Sequence, residues 1–152
     1  MKRYIRVLLL LPLVACSDWF DAVPDNENIP DKKFFGDENA FYNALVDVYT
    51  QLRSTDLYGG NLTLSMLEFM GQDLAPYDTP SSDLSRFRYD TPENSARIAT
   101  VIQQMYRAIA SCNKTLDEIE HTDVFFYNAG QKEIITGELY ALRGALHFDL
   151  LR

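Results

Sequence analysis

The chain has 152 residues, 47% of them hydrophobic and 24% charged. That is the size and balance of one small globular domain, not of a disordered, collagen-like or coiled-coil chain. Its 14 Lys and Arg residues against 22 Asp and Glu residues leave a net charge of −8. General nucleic-acid binding is therefore excluded, because neutralising phosphates takes clustered cations. Two cysteines cannot form a disulfide framework, and no apolar run approaches the roughly 20 residues that span a bilayer.

The first segment reads as an export signal. Lys2, Arg3 and Arg6 form a positive start, and Val7 to Val14 is a short apolar core interrupted by Pro12. The sequence Leu13-Val14-Ala15-Cys16 resembles the lipobox of bacterial lipoproteins. The resemblance implies cleavage after Ala15 and lipidation of Cys16, and several acyl chains at about 0.8 kcal/mol per buried CH₂ hold a protein stably on a membrane. Removing three of the 14 cations leaves 11 against 22 anions, so the mature chain carries −11. Ser17 rather than Asp follows the cysteine, and Asp18 and Asp21 come soon after. This acidic follow-on is similar to the surface-export signal of Bacteroidetes lipoproteins.

Beyond Cys16, residues 17–36 read as an irregular tether, broken by Pro24, Asn26, Asn28, Pro30 and Asp31. Trp19, Phe20, Phe34 and Phe35 are apolar anchors for that arm. A helix follows from about Asp37 to Arg53, with Asp37 as N-cap. Its apolar stripe is Phe41, Leu45, Val48, Tyr49 and Leu52. Tyr58-Gly59-Gly60 breaks the chain, a short helix covers Leu62 to Met70, and Gly71 to Asp90 reads as a long loop. Thr91, Pro92 and Glu93 then open a helix that runs to about Glu120. The stripe Ile98, Val101, Ile102, Met105, Ile109, Cys112, Leu116 and Ile119 marks its buried face. After a connector over His121 to Gly130, a last helix opens near Ala129 and carries Ile135, Leu139, Leu142, Leu146 and Leu150. Two long amphipathic helices with a short connector predict an antiparallel hairpin. The last stripe runs to Arg152 without a stop signal, so the chain reads as part of a longer protein, with an outer apolar surface that favours a marginal or aggregating monomer.

Four segments in order resemble the SusD/RagB-like nutrient-binding lipoproteins. They are Cys16-Ser-Asp-Trp-Phe-Asp-Ala-Val-Pro24; Ala40-Phe-Tyr-Asn-Ala-Leu-Val-Asp-Val-Tyr-Thr-Gln-Leu-Arg53; Met105-Tyr-Arg-Ala-Ile-Ala-Ser-Cys-Asn-Lys-Thr-Leu-Asp-Glu-Ile119; and Gly137-Glu-Leu-Tyr-Ala-Leu-Arg-Gly-Ala-Leu-His-Phe-Asp-Leu-Leu-Arg152. Family members are several times longer, so the resemblance is to their N-terminal part. It implies an all-α fold: a helical bundle with a tetratricopeptide-like helix hairpin and long irregular loops, divided into a signal over 1–15, a lipidated tether over 16–36 and a helical region over 37–152. It also implies a surface-exposed outer-membrane protein that caps a SusC-like TonB-dependent transporter and passes it an oligosaccharide or peptide. Much of the family's ligand site comes from parts beyond this chain. A lipid-anchored helical adaptor for protein partners, without glycan binding, is the alternative.

Sugar recognition sets aromatic faces against sugar C–H surfaces beside polar groups that bond hydroxyls. Tyr77, Asp78, Asp83, Arg86 and Tyr89 supply those ingredients in the 71–90 segment, although the same aromatics also suit pinning a loop to the body. Arg143 borders the apolar stripe and is expected to pair with a carboxylate on a neighbouring helix. Asn113 is expected to bond backbone at a helix contact, and Cys112 to be buried and inert. His147 and Asp149 face different sides of a helix, so no metal site is expected. No nucleophile triad, phosphate loop or acid/base pair is legible, and the chain is read as neither an enzyme nor a cofactor protein.

Intact mass measurement of the membrane-extracted protein should show an acylated Cys16 as first residue. Cys16→Ser should move the chain out of the membrane fraction. A bare thiol on the exported chain would remove the anchor from this reading.

Overall fold

A computed structural model describes residues 34–152. The signal, Cys16 and the tether up to residue 33 lie outside the described residues, as do Trp19 and Phe20. Among the described residues all regular structure is helical. The elements are α1 (Glu38–Leu52), a π-helical turn (Asn61–Met66), α2 (Leu67–Met70), α3 (Thr79–Ser85), α4 (Pro92–His121) and α5 (Gln131–Leu151). The all-α expectation holds.

The two cap signals work as local chemistry predicts. The Asp37 carboxylate accepts the Ala40 N–H at 2.8 Å and starts α1. The Thr91 hydroxyl accepts the Asn94 N–H, and Pro92, which lacks an N–H, occupies the first turn of α4. α4 has 30 residues and so spans about 45 Å. α5 begins at Gln131 rather than Ala129, because Gly130 takes a left-handed φ of 83° that a helix cannot contain.

α4 and α5 pack antiparallel. Near the connector, Ile119 at the end of α4 shares a core with Ile135 and Leu139 at the start of α5. At the far end, Leu146 of α5 packs among Val101, Met105 and Ile109 of α4. α1 closes the first core with Phe41, Leu45 and Val48, and Phe35 stacks on Phe41 at 4.9 Å. The second core receives Leu57, Met66, Phe69 and Leu84 from the segments between α1 and α4. Each fully buried Leu, Ile or Phe contributes about 1.5–3 kcal/mol by leaving water.

The connector is held by alternation. Val124 and Phe126 turn into the first core, with Phe126 at 5.6 Å from Phe41, whereas Phe125 and Tyr127 point outward. Glu38 in the first turn of α1 takes the Tyr127 N–H at 2.6 Å and the Asn128 side-chain amide at 2.8 Å.

The structure corrects several sequence expectations. The segment 71–90 is not wholly a loop, because Asp78 caps the seven-residue α3 inside it. Only Leu84 among the apolar residues of that helix is buried, so no period could announce it. Leu62 to Met70 is a π-helical turn followed by one α turn. Tyr49 and Ile102 lie outside the core, each more than two-fifths exposed. Tyr49 instead donates its hydroxyl to Glu138 at 2.9 Å, tying α1 to α5. Among the described residues Arg143 meets no carboxylate. It donates to the Asn113 side-chain oxygen at 2.9 Å and lies 4.9 Å from the Tyr140 ring centre, so Asn113 acts through its side chain rather than on backbone. Cys112 is fully buried, and that burial pushes its thiol pKa up.

Between α1 and the π-helical turn the backbone folds tightly on itself. A Cβ on Gly59 would stand 2.1 Å from the Arg53 carbonyl oxygen, and one on Gly60 would stand 2.6 Å from that of Thr55. Only glycine admits this approach. The turn places Tyr58 against α5, where its hydroxyl donates to Asp149 at 2.5 Å. Burial and then the Asp149 carboxylate raise the Tyr58 pKa well above the usual tyrosine range, with Arg152 opposing slightly. A folded-state pKa above the unfolded value gives stability that is complete below about pH 10 and declines as the pH climbs further. Thermal melts should therefore show wild type above Tyr58→Phe near neutrality, with the gap shrinking above about pH 10. A gap that stays constant to high pH would separate Tyr58 from this coupling.

Candidate functional site

The segment between α2 and α4 is built on two like helix ends. After α2, the Gln72 N–H bonds the Phe69 carbonyl and the Asp73 N–H bonds that of Glu68. After α3, the Phe87 N–H bonds the Leu84 carbonyl and the Arg88 N–H bonds that of Asp83. Both are Schellman endings, which want a left-handed residue next to the cap. Here those residues are Gln72, with φ 63°, and Phe87, with φ 58°, rather than glycine. A bulky side chain at such a φ costs on the order of 1–2 kcal/mol. Gln72 recovers part of this by donating its side-chain amide to the Ser85 carbonyl at 3.0 Å. Phe87 sits 58% exposed, edge-on to Tyr89 at 6.4 Å.

Between these ends lies an open, polar depression of about 490 Å³, lined by residues such as Tyr77, Asp78, Ser82, Asp83, Arg86 and Arg88. Its volume falls within the range of small-molecule sites. Of the five residues singled out from sequence, Tyr77, Asp78, Asp83 and Arg86 meet in this depression. Tyr89 does not line it and is reassigned to the neighbouring Phe87 pair.

The four residues differ in what they can offer a ligand. Tyr77 is 82% exposed, and its ring is 5.9 Å from that of the buried Phe69, so its outer face is open. Arg86 is exposed at the rim. Asp78 is partly committed to structure, because its carboxylate accepts the Ser81 N–H at 2.8 Å and caps α3. The Ser81 hydroxyl, then its amide, and more weakly Arg97 lower the Asp78 pKa, which keeps a negative charge there at neutral pH. Asp83 is turned inward and pairs with Arg88 at 3.2 Å. It acts as a brace that aims Arg88 into the depression, and with Arg88 this exposed the pair contributes no more than about 1 kcal/mol.

The whole segment is fastened to α4 by one buried amide. Asn94 is fully buried and donates its side-chain nitrogen to the Pro80 carbonyl at 3.1 Å and the Arg88 carbonyl at 3.3 Å. One residue thus holds both the start of α3 and the chain beyond it.

Sequence reasoning passed over Ser82 and Arg88, and nothing in their spacing singles them out. It also passed over the exposed Phe125–Tyr127 pair, stacked edge-to-face at 5.2 Å. The Val-Phe-Phe-Tyr run over 124–127 was a usable signal, since alternate residues of an extended stretch face opposite ways.

Among the described residues no group of three His, Cys, Asp or Glu side chains is arranged to hold a metal. No helix there is long and apolar enough to cross a membrane. No family model matches the chain, and neither the curated proteins nor the solved structures include a match.

Asn94→Ala should free the 71–90 segment while leaving the hairpin cores intact. Removing both donors from buried carbonyls costs about 1–3 kcal/mol. Limited proteolysis should then cut within 72–90 much faster than in wild type, with little change in helical circular dichroism. Equal cleavage rates would show that the segment is held elsewhere.

Proposed function

We propose that the chain is a lipid-anchored capture module of the SusD/RagB-like kind, which holds oligosaccharide at the cell surface and hands it to a SusC-like TonB-dependent transporter. One observation carries the reading: the lipobox Leu13-Val14-Ala15-Cys16 stands ahead of the three helical motifs in the family's order. The all-helical architecture with its antiparallel hairpin is compatible with it. The depression adds chemical support. Tyr77 offers a ring face for sugar C–H groups, while Asp78, Ser82, Arg86 and Arg88 surround it with acceptors and donors for hydroxyls. Such a site binds and releases and needs no catalytic group.

The arrangement suits weak, reversible capture. The depression is open to water, so each hydrogen bond to a sugar replaces one to solvent and contributes little net affinity. The aromatic face contributes by covering apolar C–H surface, which makes Tyr77 the residue whose loss should matter most.

The adaptor reading draws on a different observation, the exposed apolar stripe Tyr42, Val46 and Tyr49 on α1. It would place the partner on α1 and leave the depression without a role.

Affinity purification of the tagged full chain from detergent-solubilised outer membranes should recover a large barrel transporter. Calorimetric titration with oligosaccharides should give weak, saturable binding that Tyr77→Ala reduces several-fold with its helical spectrum unchanged. Recovery of soluble proteins in place of a barrel, with no sugar response, would favour the adaptor.

A further inference from the structure

The depression between α2 and α4 offers more donors than acceptors. Arg86 and Arg88 both line it, together with Thr79 and Ser82 and the carboxylates of Asp78 and Asp83. A guanidinium is all donor, with no acceptor. Asp83 is turned inward, its side chain only 11% exposed, and is spent on Arg88 at 3.2 Å. Asp78 is the exposed carboxylate of the pair, and it already accepts the Ser81 N–H at 2.8 Å.

The left-handed turn at Phe87 brings the two guanidiniums to one side. Arg86, Phe87 and Arg88 spend their backbone N–H groups on the end of α3. The Arg86 N–H bonds the Ser82 and Asp83 carbonyls, the Phe87 N–H that of Leu84, and the Arg88 N–H that of Asp83 at 2.8 Å. With Phe87 at φ 58°, Arg86 and Arg88 both reach the depression, while the ring between them stays out of it and faces Tyr89 edge-on. Glycine would take this turn without strain, so the phenylalanine is kept at a conformational cost.

The two arginines are held differently. Arg88 is fixed at three points: its N–H by α3, its carbonyl by Asn94 at 3.3 Å, and its guanidinium by Asp83. It commits only Nη1 to Asp83, and its remaining donors are open to a ligand. Arg86 is exposed, and among the described residues no carboxylate or carbonyl meets its guanidinium. One fork is thus set in place before a ligand arrives, which lowers the entropy lost on binding, and a second is free to close over it.

We propose that the depression selects acidic oligosaccharides, whose rings carry a carboxylate or a sulfate ester, and that Arg86 and Arg88 determine this specificity. The proposal rests on the sugar-capture reading above and narrows its ligand class. A neutral sugar hydroxyl both donates and accepts, and the depression has few acceptors to answer it. An anionic group only accepts, which is what two guanidiniums and two hydroxyls serve. Tyr77 covers the ring face beside them. The chain carries −8 overall and repels an anion at long range, but exposed charges are screened beyond about 8 Å at physiological salt, so the local donors decide.

The test is calorimetric titration of the detergent-solubilised full chain with matched probes. Oligogalacturonides are compared with their methyl esters, and sulfated galactan oligosaccharides with the same sugars after desulfation. Each pair keeps its rings and loses its charge. At least one acidic probe should bind several-fold tighter than its neutral partner, the scale of exposed ion pairs, and the advantage should shrink as salt is raised. The pair that shows the preference identifies the anion. Arg86→Gln should bring the acid-to-neutral ratio close to one. Arg88→Lys keeps a cation on Asp83, whereas Arg88→Gln would leave that inward carboxylate unpaired. It loses the planar fork and should also lower the ratio. Equal binding within both pairs overturns the proposal and leaves sugar capture standing, as does a preference that both arginine variants retain. Binding by none of these probes also overturns it. In that case sugar capture survives if neutral oligosaccharides of other composition bind, and falls if none does.

Discussion

Burial of one continuous face of α4 is the constraint on which the rest of the structure depends. Val101, Met105, Ala108, Ile109, Cys112, Leu116 and Ile119 run along a single side of this helix, and both hydrophobic cores form against it. Half of that face is covered by α1 and the start of α5. The other half is covered by the end of α5 and the short segments between α1 and α4. Leu52 at the end of α1 packs against both cores and joins them. Because α4 is one unbroken helix, a loss of packing at either end is felt along its length. The polar ties from α1 to α5, through Tyr49 and Glu138, act at the rim of this arrangement and contribute specificity more than strength.

The candidate site inherits its order from the second core. α3 is too short to be stable alone, since an isolated helix needs many more turns than its seven residues supply. It holds because Leu84 enters the core, Asp78 caps its start and Asn94 ties its flanks to α4. The exposed Tyr77, Arg86 and Phe87 are carried on a frame that is fixed from beneath. Phe87 occupies a left-handed position where glycine would be easier, so a large exposed ring is retained there at a conformational cost. Rigid support below and open aromatic surface above is the usual form of a recognition surface on a helical scaffold.

The sequence alone determined the helices whose period is long enough to show. The caps at Asp37 and Thr91, the buried stripes of α1, α4 and α5, and the antiparallel hairpin are local or periodic properties, and they were legible for that reason. The sequence also marked Tyr77, Asp78, Asp83 and Arg86 as neighbours along one segment, but the short helix that brings them to one depression carries no period that could announce it. Tertiary structure alone decided the rest. It turned Asp83 inward onto Arg88, moved Tyr89 out of the depression, paired Arg143 with Asn113 and gave Asn94 its role as a fastener. Each of these depends on where a side chain finds a partner far along the chain or at a helix end. Composition and spacing carry no record of that, because direction and burial are set only when separate elements pack.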